Sequence, residues 1–231
     1  MRHQTDIDKM NTNRNLFFMS LPIFVELLLQ LLVGNIDQMM VSRVSQQSVA
    51  SIVNANQIMN LVIIVLSMAS TAATVILSQY LGAEDKANSS RTCMVSILMI
   101  TVVSLLSTLL VFAGYKPLYK ALRVPEEIFD EASLYLLIVG ACITVQGLYL
   151  IFSAIIRAFA MMKEVMIVSI VMNVMNIIGN AILINGWFGM PRLGAVGAAI
   201  STDISKLVGL GLMILLFVKR TNVKLGLRFL K

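Results

Sequence analysis

The chain has 231 residues, of which 58% are hydrophobic and 13% are charged, and its formal net charge is +6. Soluble domains carry about 25% charged residues, so this composition excludes an ordinary soluble domain and indicates a membrane protein. The basic excess suits an anionic membrane surface rather than nucleic acid, because five of the 18 Lys and Arg residues lie in the last 13 positions, directly after a long apolar run.

Six apolar runs follow one another along the chain, and each has roughly the 20 residues that a membrane-spanning helix needs. They cover residues 16–41, 57–79, 93–114, 134–156, 165–184 and 195–218. The connections between them are short and rich in turn-forming and charged residues, which leaves few residues for a soluble domain. The sequence therefore predicts an all-α, polytopic membrane protein with a tail at 1–14, a six-helix bundle at 15–218 and a basic tail at 219–231.

The distribution of Lys and Arg predicts which helix ends face the cytoplasm, because positive residues are retained on that side. The two tails and the second and fourth connections hold twelve of the 18 basic residues, whereas the other three connections hold five. We therefore predict a multi-pass protein of the plasma membrane with both termini in the cytoplasm.

The first predicted span contains two carboxylates, and an ionisable group at membrane depth usually faces a protein interior or a water-filled cavity. Glu26 and Asp37 are eleven residues apart, which at about 100° per residue places them on one helix face together with Gln30. Glu26 is a candidate cavity residue, or else an acid near the inner interface or a neutral acid hydrogen-bonded to a neighbouring helix. Pro22 lies early in this span, where it is either a start signal or a hinge for a moving helix.

The fifth predicted span presents carboxamides to the same region. Asp37 and Asn180 each lie about four residues from the outer end of their helix, so we expect them at similar depth. Asn173, Asn176 and Asn180 recur at three- and four-residue steps, which places them on one helix face. A carboxylate near several carboxamides can bind a proton or Na⁺ and change its hydrogen bonds as it does so. We therefore interpret Asp37 as a cation-binding residue and expect no other metal site.

Polar residues also recur on single faces of the other spans. Such stripes usually hydrogen-bond between helices, and lining a substrate cavity is the alternative. In the sixth span Asp203 and Lys206 are three residues apart, which predicts a self-neutralising pair, with a cavity position for Asp203 as the alternative. The candidate cavity residues are Glu26, Gln30, Asn56, Asn60, Gln146, Asn173 and Asp203.

The inventory of reactive side chains excludes several enzyme classes. The one histidine, His3, lies in the N-terminal tail, and the two cysteines, Cys93 and Cys142, lie in apolar runs, where packing is expected rather than a disulfide. Serine hydrolases with a histidine base, haem proteins and zinc enzymes need bases or ligands that are absent from this sequence. We therefore predict a protein that is not an enzyme and carries no cofactor.

Five short segments, in their order and spacing, make the chain resemble the N-terminal half of a multidrug and toxic compound extrusion (MATE) transporter. They are LPIFVELLLQ at 21–30 followed by Asp37, NANQI at 54–58, SQYLGA at 78–83, NIIGN at 176–180 and GMPRLGAVGAAIST at 189–202. The resemblance implies that Asp37 matches the coupling acid of the N-terminal lobe. It also implies that Asn176, Asn180 and Thr202 match polar positions around that acid.

The chain departs from the family pattern in two places. Ser42 and Ser45 stand where glycines often follow the acid of the first helix, and Asp203 stands where a small or apolar residue is expected. The second departure puts the usual form of ion coupling in doubt without changing the expected fold.

What the resemblance implies is a twelve-helix exporter of two six-helix lobes, driven by H⁺ or Na⁺, that expels cationic and amphipathic drugs. We predict that this chain is the N-terminal lobe of such a secondary active exporter, since alternating access requires two halves. Its expected partners are membrane lipid, such a drug, and the missing C-terminal lobe or a second copy, but no nucleic acid. The alternatives are a lipid-linked oligosaccharide flippase of the same superfamily, for which only Lys206 and Arg157 offer cations, and a non-transporting six-helix module.

Overall fold

The computed structural model describes residues 13–42, 45–189 and 191–221, which form long helices joined by short connections. The helices are α1 (Asn13–Ser42), α2 (Gln46–Gly82), α3 (Lys86–Ala121), α4 (Glu126–Ala141), α5 (Ile143–Ala158), α6 (Met162–Asn185) and α7 (Gly194–Arg220). A short 3₁₀ helix, Trp187–Gly189, precedes α7. Most of the predicted N-terminal tail and of the basic tail lies outside the described residues, although Lys219 and Arg220 belong to the last turn of α7.

The described helices account for the predicted membrane spans. Helices α2, α3, α6, α7 and the part of α1 from Ser20 are each long and apolar enough to cross a membrane. Helices α4 and α5 meet the same criterion together, with a bend of 45° between them at Cys142. The predicted all-α polytopic fold is therefore confirmed, but the fourth predicted span is a broken helix rather than a straight one.

Helices α2 and α3 begin well before the apolar runs from which they were predicted, and a polar side chain caps each of them. Ser45 accepts a hydrogen bond from the Ser48 backbone N–H at 3.3 Å and starts α2 at Gln46 rather than Gln57. Asp85 caps α3 in the same way, accepting from the Asn88 backbone N–H at 3.0 Å. The backbone and side-chain donors of Asn88 hold the pKa of the Asp85 carboxyl below its usual range. Hydropathy detects the apolar middle of a helix and misses such polar first turns.

The bundle is arranged around two groups of packed helices. Helix α2 packs against α3, α4 and α5, while α6 packs between α1 and α7. Glu131 of α4 joins the first group, because it accepts hydrogen bonds from the hydroxyls of Ser48 at 2.7 Å and Ser51 at 3.1 Å. Apolar side chains such as that of Leu110, which is 71% exposed, cover the outer surface, as expected for helices that contact lipid.

Helices α6 and α7 approach each other closely because small residues lie between them. A Cβ atom added at Gly197 would lie 2.7 Å from the carbonyl oxygen of Leu183, and one added at Gly179 would meet the Ser201 hydroxyl. The Ser201 hydroxyl also donates to the backbone carbonyl of Asn176 at 2.9 Å. Small residues permit such backbone contacts between membrane helices, and here they bring the polar faces of α6 and α7 together.

Pro22 lies inside α1, nine residues after its first residue, so it is not a helix start signal. Its ring removes one backbone hydrogen bond from the helix, which makes this point easier to bend than the rest of α1. The hinge role of Pro22 stays a prediction.

Candidate functional site

Four polar side chains from three helices form a continuous hydrogen-bonded chain inside the bundle. The Nδ2 atom of Asn180 on α6 donates to Oδ1 of Asp37 on α1 at 2.6 Å and to Oδ1 of Asn176 at 3.2 Å. The Nδ2 atom of Asn176 then donates to Oγ1 of Thr202 on α7 at 3.1 Å. The structure thus brings together all four residues that the sequence predicted as the ion-coupling set.

The local sequence explains why these side chains meet. Asn176 and Asn180 are four residues apart on α6, so they lie one above the other on the same helix face. Helix α7 approaches α6 closely at Gly179, which brings Thr202 to the carboxamide of Asn176. Helix α1 also packs against α6, and this brings Asp37 to Asn180. Asn180 is fully buried and Asn176 nearly so, whereas Asp37 is half-buried at the edge of the bundle.

The electrostatic surroundings of Asp37 suit a site that gains and loses a cation. Within the described part of the chain, no Lys or Arg nitrogen lies within 4.0 Å of its carboxylate. The Oδ1 atom of Asn180 is buried and has no hydrogen-bond partner in the residues that the structure describes. A carboxylate held only by a neutral amide at membrane depth can be neutralised by a proton, and carboxylate and carboxamide oxygens are also suitable ligands for a hard cation.

Glu26, a candidate cavity residue, is instead one half of an ion pair. The Nη2 atom of Arg157, in the last turn of α5, donates to Oε1 and Oε2 of Glu26 at 2.8 and 3.1 Å. The Glu26 side chain is 5% exposed and that of Arg157 is 34% exposed. Because Arg157 is engaged in this pair, Lys206 remains as the only cation that the sequence offered for the flippase alternative.

Glu26 and Asp37 were predicted to share one face of the first helix, but their side chains have different surroundings. Gln30, which lies between them on that face, is exposed, and Glu26 is buried against α5. The pairing of Arg157 with Glu26 was not predicted. The signal available for it was general, since a buried carboxylate at membrane depth requires a partner.

The other candidate cavity residues lie in several environments. Asn60 is exposed, Gln146 is half-buried, and Asn173 is buried with an Nδ2 atom that has no hydrogen-bond partner. Asn56 is half-buried and lies beside the hydroxyl of Tyr135 on α4, which is within electrostatic range of Asp37. Tyr135 was not predicted as a site residue, because a single tyrosine at the start of an apolar run is no signal by itself.

Asp203 and Lys206, the predicted self-neutralising pair, act on each other electrostatically but make no contact ion pair among the described residues. Asp203 is 7% exposed and Lys206 is half-buried, and their charged atoms are farther apart than 4.0 Å. Residues three apart on a helix can pair, but here the Asp203 side chain lies beside the Cys142 thiol at the break between α4 and α5.

These features define the class of the protein, a polytopic helical membrane protein in which a half-buried carboxylate on one helix is hydrogen-bonded to a carboxamide on a neighbouring helix. Comparison with known proteins narrows the class, because a model of the MatE family matches residues 22–182. The chain belongs to the MatE family, as its resemblance to MATE transporters predicted. Since the relatives are transporters, the prediction that the protein is not an enzyme is also confirmed.

Two relatives and two solved structures illustrate the similarity. The chain is 38% identical to the uncharacterized transporter YisQ of Bacillus subtilis (strain 168), over 93% of this chain and 47% of YisQ. It is 28% identical to the probable multidrug resistance protein NorM of Thermotoga maritima, over 92% of this chain and 46% of NorM. The chain therefore spans about half the length of these relatives.

The solved structures show the same fold. An outward-facing multidrug resistance MATE transporter matches with a TM-score of 0.81 at 21% identity, over 91% of this chain and 46% of that chain. A MATE structure in the straight conformation matches with a TM-score of 0.83 at 21% identity, over the same shares of the two chains.

Proposed function

We propose that this chain is the N-terminal lobe of a secondary active exporter that exchanges H⁺ or Na⁺ for cationic and amphipathic drugs across the plasma membrane. The observation that carries the proposal is the hydrogen-bonded chain from Asp37 through Asn180 and Asn176 to Thr202. It joins three helices, so a change of charge at Asp37 acts on the packing of all three.

In this proposal Asp37 takes up the coupling cation. The ionised carboxylate accepts a short hydrogen bond from Asn180, which ties α1 to α6. Neutralising the carboxylate weakens that charge-assisted bond, because hydrogen bonds to an ionised acceptor are roughly twice as strong as neutral ones. Helix α1 lies at the edge of the bundle, and Pro22 provides a point at which it can bend when the bond is released.

The drug would bind between this lobe and its partner lobe, and alternating access would come from movement of the two lobes against each other. The exposed Gln30 on α1 and Asn60 on α2 are candidates for the face that borders this space. Both termini would lie in the cytoplasm, and the outer apolar side chains would contact lipid. The basic residues at 219–231 would begin the linker to the second lobe.

Ethidium efflux tests the role of Asp37. In cells that express the chain together with the lobe that completes it, Asp37→Asn should reduce efflux at least tenfold, because the amide cannot exchange a cation. Asp85→Asn is the matched control, since it removes a half-buried carboxylate in a connection while Asn still caps α3. Efflux by Asp37→Asn at the level of the control would rule out the proposal.

A further inference from the structure

A second buried carboxylate lies beside the hydrogen-bonded chain without being part of it. Asp203 follows Thr202, the last member of the chain, and is 7% exposed. Its Oδ1 atom is buried and has no hydrogen-bond partner in the described part of the protein. The Ser205 hydroxyl nearby does not serve it, because that hydroxyl donates to the backbone carbonyl of Ser201 at 2.8 Å.

The charged and titratable groups that face Asp203 come from two sides. Lys206 lies on the same helix, one turn further along, without reaching contact distance. The Cys142 thiol faces Asp203 from the break between α4 and α5, and Tyr135 faces it from α4. Tyr135 is also within electrostatic range of Asp37, so it is near both carboxylates.

Two opposing influences act on the charge of the Asp203 carboxylate. Burial without a contacting cation disfavours the ionised form, and an unpartnered carboxylate oxygen inside a bundle is costly. The positive charge of Lys206, one turn away, acts in the opposite direction. Binding a proton at Oδ1 removes the buried charge and converts the unsatisfied acceptor into an O–H donor.

We propose that Asp203 is a second reversibly protonated carboxylate, which takes its proton from water and returns it there, and that Tyr135 links it to Asp37. The lobe would then bind two protons when both sites are filled, one at each acid. The link to Asp37 rests on the proposed function, whereas the protonation of Asp203 stands on its own surroundings.

Infrared spectroscopy of the purified full chain in lipid vesicles tests this inference, because a protonated carboxyl has a C=O stretching band that a carboxylate lacks. On titration from mildly alkaline to mildly acidic pH, a band should appear that Asp203→Asn abolishes and that the control Asp85→Asn retains. Lys206→Met should retain the band and make it appear at a higher pH, because a nearby positive charge no longer favours the carboxylate.

The result separates this inference from the proposed function. If Asp203→Asn removes no titrating band, Asp203 is not a proton site, whatever Asp37→Asn does. If Asp37→Asn leaves both the spectrum and efflux unchanged while Asp203→Asn removes a band, the assignment of Asp37 fails and the protonation of Asp203 stands. An unchanged titration in Lys206→Met would also overturn the inference, and that variant answers the question should Asp203→Asn fail to fold.

Discussion

The side-chain amide of Asn180 orients the carboxylate on which the proposed function depends. Both of its hydrogen bonds as a donor are used within the site, one to Asp37 and one to Asn176. Its oxygen is buried and has no hydrogen-bond partner among the described residues. A half-turn of this amide would present that oxygen to a protonated Asp37, so the same residue can serve both charge states of the acid.

The ion pair between Glu26 and Arg157 is a second feature at the scale of single residues. It predicts that removing one partner destabilises the protein more than removing both. Arg157→Gln leaves a buried carboxylate without its partner, which should cost about 3 kcal/mol, the low end for a broken buried pair because Arg157 is one-third exposed. The double variant Glu26→Gln/Arg157→Gln should recover much of that loss, since no buried charge remains.

Thermal unfolding of the purified variants in detergent measures this effect. Glu131→Gln provides a comparison, because Glu131 is held by two serine hydroxyls and has no cationic partner within 4.0 Å among the described residues. If the double variant is as unstable as Arg157→Gln alone, the ion pair is not what stabilises the contact between α1 and α5.

At the scale of helices, the contact between α6 and α7 is what places Asn176 beside Thr202. This contact should be sensitive to a larger residue at Gly197. A Cβ atom there would lie 2.7 Å from a backbone oxygen, which cannot move aside as a flexible side chain would. Gly197→Ala should therefore push the helices apart and destabilise the protein by about 1–3 kcal/mol. Efflux should fall as well, since the Asn176–Thr202 bond is lost.

The matched control lies on the same helix. Nothing lies within 4 Å of a Cβ atom added at Gly211, so Gly211→Ala should leave efflux unchanged and, through helix propensity, raise stability slightly. Unfolding temperature and ethidium efflux can be measured for both variants in parallel. Equal behaviour of the two alanine variants would show that the close approach of α6 and α7 is not required.

At the scale of the whole molecule, the chain spans about half the length of its relatives. This predicts that the chain alone does not transport ethidium. A single lobe has no second half to move against, so vesicles that contain only this chain should show no ethidium efflux above protein-free vesicles. Adding the completing lobe should restore efflux. Efflux by the chain alone that Asp37→Asn abolishes would instead indicate that two copies form the transporter.

The sequence by itself determined the membrane class, the six spans and the location of the candidate site. Hydropathy and helix length depend only on residues adjacent in the chain, and an acid at membrane depth is costly in any fold, so Asp37 could be selected without a structure. The four- and three-residue spacings likewise placed Asn176 and Asn180 on one face.

Only the tertiary structure decided which distant groups meet. The partner of Glu26 is Arg157, 131 residues away, and the side chain beside Asp203 is that of Cys142, at the break between α4 and α5. The bend at Cys142 and the position of Tyr135 also depend on how α4 packs against α2 and α7. Spacing along a chain predicts which side chains share a helix face, but packing between helices decides which other helix that face contacts. For this reason the neighbours of Glu26 and Asp203 could not be assigned from the sequence.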